Sequence, residues 1–245
     1  MSRAVIDFHA RLDAGLRDAM GAAGIARAAV CAGGLVTLDE LSERITADRA
    51  EPGPAADNTA VLAAARGSGG ALLPFFFADP FADAEAYATA ADRYRGLEIS
   101  PAVHGFRYDD PRVRDLVATA ATHRHPVYTV CLGRPGTRAA DLAALARAFP
   151  RVDFVFGHCG STGLDARGLA VLAPHPNVAA ELSGAFTAVA RLALARLGPG
   201  RVLFGTEYPL QDPRVELVKL AALDLDRPTY RAVTDTNARR LLGES

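Results

Sequence analysis

The chain has 245 residues, half of them hydrophobic, with 27 basic against 28 acidic side chains and a formal net charge of -1 at pH 7. That balance excludes a disordered polyelectrolyte, and no basic tract is present to meet the phosphates of a nucleic acid. The longest apolar run, around 71–78, is too short to span a bilayer, and no apolar leader core precedes Val5. A cytoplasmic protein with no nucleic-acid or membrane partner is therefore expected.

The length suits one domain, 1–245, better than two small ones. The chain opens on Val5-Ile6-Asp7-Phe8-His9-Ala10-Arg11, which reads as a short buried strand with polar groups gathering at its C-terminal end. Side chains alternate along a strand, so Asp7, His9 and Arg11 are expected on one side. Further strands are expected over 27–32, 71–77, 96–100, 126–132, 152–157, 177–182 and 201–205, the first over 4–8. Between them, alanine-rich helical periodicity marks 57–66, 83–95, 111–124, 137–149 and 164–172. Asp57, Asp110 before Pro111, and Thr137 read as helix caps.

Near-continuous apolar strands alternating with helices imply a parallel sheet buried on both faces. About eight such units is the count of an α/β fold of the (β/α)8 TIM-barrel type. An open doubly wound sheet is the runner-up, but no glycine-rich phosphate loop follows the first strand.

In a barrel, residues just past strand ends meet on the active rim. His9, Arg11, His104, Arg107, Tyr108, His158, Glu181, Ser183, Glu207 and Tyr208 all follow strands. His123, His125 and His175 precede strands and are read as exposed or helix-terminal groups on the opposite rim. Cys31, Cys131 and Cys159 lack disulfide or metal-finger spacing and read as buried thiols. Cys159 as a nucleophile is disfavoured, because neighbours on a strand face opposite ways. Lys219 is the only lysine and lies in a late helical segment, which excludes a Schiff-base or metal-bridging lysine on a strand.

Several short motifs, in order along nearly the whole chain, carry a resemblance. Ile6-Asp7-Phe8-His9-Ala10-Arg11 resembles the first-strand DxHxH of the amidohydrolase-related superfamily, in its aminocarboxymuconate semialdehyde decarboxylase-like branch. Phe156-Gly157-His158-Cys159-Gly160 resembles that family's GHxG. Leu203-Phe204-Gly205-Thr206-Glu207-Tyr208-Pro209 resembles its LFGSDYP, and Asn237-Ala238-Arg239-Arg240-Leu241-Leu242 its NARRLL. Gly105-Phe106-Arg107-Tyr108-Asp109-Asp110-Pro111 is also similar to the family's segment after the fourth strand.

The resemblance implies a barrel enzyme, with a metal held by two first-strand histidines, a middle-strand histidine and an aspartate after the last strand. Here those positions carry His9, Arg11, Val130 and Glu207. Where relatives often show GxKxHP at the fourth strand, this chain has Gly96-Leu97-Glu98-Ile99-Ser100-Pro101. His158 matches the family's acid/base position.

These departures favour a metal-independent enzyme without cofactor. An obligate cation at position 11 would repel a nearby metal ion by several kcal/mol at an effective dielectric of about 20. The expectation is that Arg11 takes the metal's place and pairs with Glu207 across the seam of the barrel, with Asp7 and Tyr208 as further partners. The catalytic set is then His158, Arg11, Glu207 and His9, with His158 as acid/base and Arg11 as electrophilic or anion-binding group. His104, Arg107, Tyr108, Glu181 and Tyr208 are expected to bind the substrate, and the loops 102–110 and 134–136 to line its pocket.

The substrate is expected to be a small carboxylated or carbonyl-bearing metabolite, hydrolysed or cleaved at a carbon–carbon bond. One alternative keeps a divalent metal, zinc first, on His9, His158 and Glu207. Another is a barrel without catalysis that acts as a binding or assembly subunit. A homo-oligomer stays open.

Overall fold

The computed structural model describes residues 5–46, 53–160 and 162–244. Its centre is an eight-stranded parallel sheet in the order β1 to β8. The strands are β1 (Val5–Arg11), β2 (Ile25–Cys31), β3 (Leu72–Phe77), β4 (Gly96–Ile99), β5 (Val127–Thr129), β6 (Phe154–Phe156), β7 (Val178–Glu181) and β8 (Val202–Leu203). The seam between β8 and β1 is closed by backbone bonds. The Phe8 N–H donates to Phe204 O at 2.9 Å, Glu207 N–H to His9 O at 2.7 Å and Arg11 N–H to Tyr208 O at 2.8 Å. The result is a (β/α)8 barrel, and all eight expected strands are present, several of them shorter than the apolar runs that announce them.

The helices are α1 (Leu16–Ala23), α2 (Leu38–Thr46), α3 (Asn58–Arg66), α4 (Ala84–Ala90), α5 (Pro101–His104), α6 (Pro111–His123), α7 (Ala139–Ala148), α8 (Ala166–Leu172), α9 (Thr187–Leu197), α10 (Pro213–Ala221), α11 (Arg227–Arg231) and α12 (Asn237–Leu241). Asp57 and Asp110 cap α3 and α6 as expected, accepting the backbone N–H groups of Ala60 and Arg112. Thr137 is not a cap. Its hydroxyl bonds back to the Arg134 carbonyl, and the cap position of α7 is instead Arg138, whose N–H the Asp141 carboxylate accepts. Lys219 lies on α10 and not on a strand. Among the described residues no helix is long and apolar enough to cross a membrane.

Alternation along the strands divides the apolar residues into two bodies. One, including Leu97, Phe154 and Val202, packs the sheet against the helices. The other, including Ile6, Phe8, Phe75 and Leu203, fills the barrel, where Phe8 meets Phe75 edge-on at 5.7 Å.

A register shift between Asp7 and Ala10 corrects the expected alignment of β1. Three steps along β1 match two along β2, the signature of a bulge. Asp7 therefore leaves the row of His9 and Arg11. Its carboxylate turns into the seam and accepts the N–H of His9 and both the N–H and hydroxyl of Thr206. His125 also departs from expectation. It is buried on the opposite rim, its Nδ1 2.8 Å from the Tyr87 hydroxyl, and burial pushes its pKa down to about 4.

Candidate active site

The C-terminal mouth of the barrel holds two buried polar clusters. In the first, Glu98 on β4 bridges β1, with His9 Nε2 3.3 Å from Glu98 Oε2 and Arg11 Nη1 2.8 Å from Glu98 Oε1. Arg11 also donates to Cys31 Sγ at 3.0 Å and lies over the Phe77 ring. Burial would raise the Glu98 pKa, but the Arg11 guanidinium and the His9 ring together outweigh it and hold the carboxyl down at about 2. The His9 ring stacks on Tyr128 at 4.0 Å, and its Nδ1 has no hydrogen-bond partner among the described residues.

The second cluster is centred on Glu181, fully buried at the end of β7. Its carboxylate accepts the Tyr128 hydroxyl at 2.9 Å, the His158 N–H at 3.2 Å, and the hydroxyl and N–H of Ser183. Two glycines make room for this hub. A side chain at Gly157 would overlap the Tyr128 hydroxyl, and one at Gly205 the Glu181 carboxylate. His158 and Glu207 follow those glycines in left-handed backbone, at φ 57° and 52°. Such geometry is uncommon for residues with a side chain and persists only where surroundings enforce it. Here Glu181 grips the His158 N–H, and the His9 carbonyl grips the Glu207 N–H.

The hydrogen-bond pattern assigns the protons on His158. Ser183 Oγ gives its hydrogen to Glu181, so it accepts from His158 Nδ1 at 2.7 Å. The Tyr128 hydroxyl likewise gives its hydrogen to Glu181, leaving His158 Nε2 to donate to Tyr128 and to Glu207 Oε1, both at 3.2 Å. Both ring nitrogens are donors, which is the imidazolium form. Burial opposes that charge, but Glu207 and then Glu181 outweigh it and raise the pKa to about 9. Glu207 is reciprocally held down at about 2, against burial, chiefly by His158.

A cavity of about 430 Å³ opens over these clusters, lined at its polar end by Arg11, Ser100, His158, Thr162 and Glu207. The structure thus brings His9, Arg11, His158 and Glu207 together, but in other pairs than expected. Arg11 pairs with Glu98 and Glu207 with His158; Arg11 and Glu207 form no ion pair. The side chains of Asp7 and Tyr208 partner neither: the Asp7 carboxylate is held by Thr206, and the Tyr208 hydroxyl reaches out to Asp13 at 3.3 Å.

Glu181 lies beneath His158 rather than on the cavity wall. His104 is buried against Phe77, and Tyr108 against Thr129 and the Val130 carbonyl. Arg107 is exposed and paired with Asp109. None of these, nor Tyr208, lines the cavity, and of the two expected loops only Ala102 and Val103 do. Cys159 is buried with its Sγ on the Glu181 carbonyl, and burial raises its pKa, so a thiolate is disfavoured.

Glu98, Tyr128 and Cys31 are the residues that sequence reasoning passed over. The legible signal was Glu98, a charge inside the apolar strand Gly-Leu-Glu-Ile, which has to find a partner.

His9, His158 and Glu207 place three donor atoms within 4.8 Å of one another, as do His9, Cys31 and Glu98. The first set has enough ligands for a catalytic zinc. Its protonation does not fit one. Both His158 nitrogens already donate, leaving no lone pair, and His9 Nε2 faces Glu98. Arg11 adds a permanent positive charge alongside.

An amidohydrolase family model matches residues 6–243. By sequence, no curated protein matches the chain. Among solved structures, a TIM-barrel protein of Bordetella bronchiseptica superposes with a TM-score of 0.78 at 18% identity, covering 98% of this chain and 99% of its own. The 2,6-dihydroxybenzoate decarboxylase of Rhizobium superposes with a TM-score of 0.70 at 16% identity, covering 98% and 99%. The 5-carboxyvanillate decarboxylase of Novosphingobium aromaticivorans, solved with manganese and a nitrobenzoic acid, gives 0.68 at 16%, covering 94% and 80%.

Proposed function

Because the chain belongs to the amidohydrolase family of enzymes, we propose that it is a metal-independent hydrolase or lyase acting on a small carbonyl-bearing or carboxylated metabolite. The observation that carries this reading is the doubly donating His158, held between Glu207, Tyr128 and Ser183 at the polar end of the cavity. In that state His158 is a proton donor. It delivers the Nε2 proton to a leaving oxygen, or to the carbon left with an electron pair when a carbon–carbon bond breaks. Arg11 supplies the fixed positive charge that polarises a substrate oxygen, with Glu98 orienting it. Glu207 stabilises the imidazolium and takes part in returning its proton. His9, stacked on Tyr128 and bonded to Glu98, sets the geometry between the two clusters.

The clustering of His9, His158 and Glu207 favours one second reading, a divalent cation on those three residues. Elemental analysis of protein purified without chelator separates the two. Metal-free protein with undiminished turnover supports the first reading, whereas about one equivalent of zinc or manganese whose removal abolishes turnover overturns it. On substrates found by screening esters, lactones and carboxylates, His158→Asn is expected to lower turnover about 100-fold or more with the fold intact. Turnover that survives that substitution removes His158 from the reaction.

A further inference from the structure

The charge around the cavity narrows the substrate. Three carboxylates, Glu98, Glu181 and Glu207, face one guanidinium, Arg11, and two imidazoles, His9 and His158. With one of the two imidazoles protonated this set sums to -1, and with neither to -2. Among the described residues no lysine and no other arginine lines the cavity. A carboxylate entering here would add a further negative charge to a buried site that already has an excess of it, and each such charge is costly to remove from water without a matching cation. A neutral carbonyl oxygen carries no such penalty and still accepts hydrogen bonds from Arg11 or His158.

The rest of the cavity is apolar. Leu35, Val36, Leu38, Leu41 and Ile45, all from the segment after β2, line it together with Val103. None of the α2 residues is buried, and Leu38 is 68% exposed. Leu35, Leu41 and Ile45 rest partly against the apolar barrel interior and turn their remaining surface to the open cavity, where a bound apolar group extends their burial.

We propose that the substrate is uncharged: an ester or lactone whose carbonyl sits between Arg11 and His158 and whose hydrocarbon body lies against Leu35, Val36, Leu41 and Ile45. The inference rests on the metal-free reading above, since a bound dication would reverse the charge balance. In the reaction water adds its oxygen to the acyl carbon and the bond from that carbon to the alcohol oxygen breaks. The proton lost by water passes through Glu207 and His158 to that oxygen, giving an acid and an alcohol from an ester, or one hydroxy acid from a lactone. The acid ionises in a site of its own sign, which favours its departure.

The test uses straight-chain p-nitrophenyl esters from acetate to octanoate, alkyl lactones, and the matching methyl ketones and carboxylates as binding probes. Metal content is measured on the same protein. The ketones should bind, with affinity rising about fourfold per methylene until the cavity is full, and kcat/KM of the esters should rise in parallel. Carboxylates of equal length should bind at least tenfold more weakly. In Leu41→Asn/Ile45→Asn, at half-buried positions on the cavity wall, the dependence on chain length should flatten while circular dichroism shows the fold retained. Carboxylates binding as well as ketones to metal-free protein would overturn the proposal, as would ketones that fail to bind at all or chain-length dependence that survives the double substitution. Tight carboxylate binding that appears only with a stoichiometric metal would instead show that the metal-free premise had failed.

Discussion

His158 and Glu207 form the ion pair nearest the cavity, and its pH dependence has a definite sign. The histidine pKa is raised from 6.5 to about 9, so its contribution is complete below about pH 6.5 and disappears as pH rises through 9. Glu207 is lowered from 4.5 to about 2, so its contribution is complete above about pH 4.5 and is lost as pH falls towards 2. The stability advantage of the native protein over Glu207→Gln should therefore be greatest at about pH 5–6.5 and shrink by about pH 9.5. Urea unfolding across that range measures it, and an advantage that does not vary with pH would mean the pair is not formed. The partner of Arg11 is equally testable. Arg11→Met or Glu98→Gln alone leaves one buried charge unmatched, at a cost of about 3–5 kcal/mol, whereas losing both can be near neutral. A double-mutant cycle should give Arg11–Glu98 a coupling of about 1–3 kcal/mol, larger than that of Arg11 with Glu207. The reverse order would restore the pairing across the seam.

At the scale of elements, α10 braces the loop that positions Ser183. Lys219 Nζ donates to the Leu182 carbonyl at 2.6 Å, pairs with the buried Glu216, and Glu216 Oε1 accepts the Gly184 N–H at 3.2 Å. The only lysine of the chain thus serves the site from behind, holding both flanks of the residue that accepts from His158 Nδ1. Lys219→Met leaves the Glu216 carboxylate uncompensated and should cost about 3–5 kcal/mol, most of it recovered by adding Glu216→Gln. Chemical denaturation reads the stability, and faster amide exchange at 182–184 in the single variant reports the loosened loop. A Lys219→Met protein as stable as the native one would mean that the brace carries no weight.

For the whole molecule the decisive feature is closure. β8 is short, and the seam depends on the backbone bonds between β1 and the segment after β8, reinforced by Asp7 on Thr206. Burial pushes the Asp7 carboxyl up to about 8, although three donors point at it. Asp7→Ala leaves the N–H groups of His9 and Thr206 without that acceptor, and at about 1–3 kcal/mol for each unsatisfied group it should lower stability by at least about 2 kcal/mol. Thermal or urea unfolding checks this; no loss would show that backbone pairing alone closes the barrel.

Local order carries much of the architecture in the sequence. Apolar runs of strand length alternating with alanine-rich helices, and aspartates at helix starts, depend on near neighbours and are readable without a structure. The rim membership of His9, Arg11, His158 and Glu207 follows too, because it needs only the order of strand and turn. What the tertiary structure alone decided is who meets whom. One extra residue in the β1 bulge rotates Asp7 away from His9 and Arg11, and a period-two pattern cannot register it. Glu98 lies 87 residues beyond Arg11 in the numbering, yet β1 and β4 face each other across the barrel and their charges meet. The apolar wall from α2 was invisible for a related reason. Its leucines and isoleucine mark a cavity only once the barrel beneath them supplies the other side.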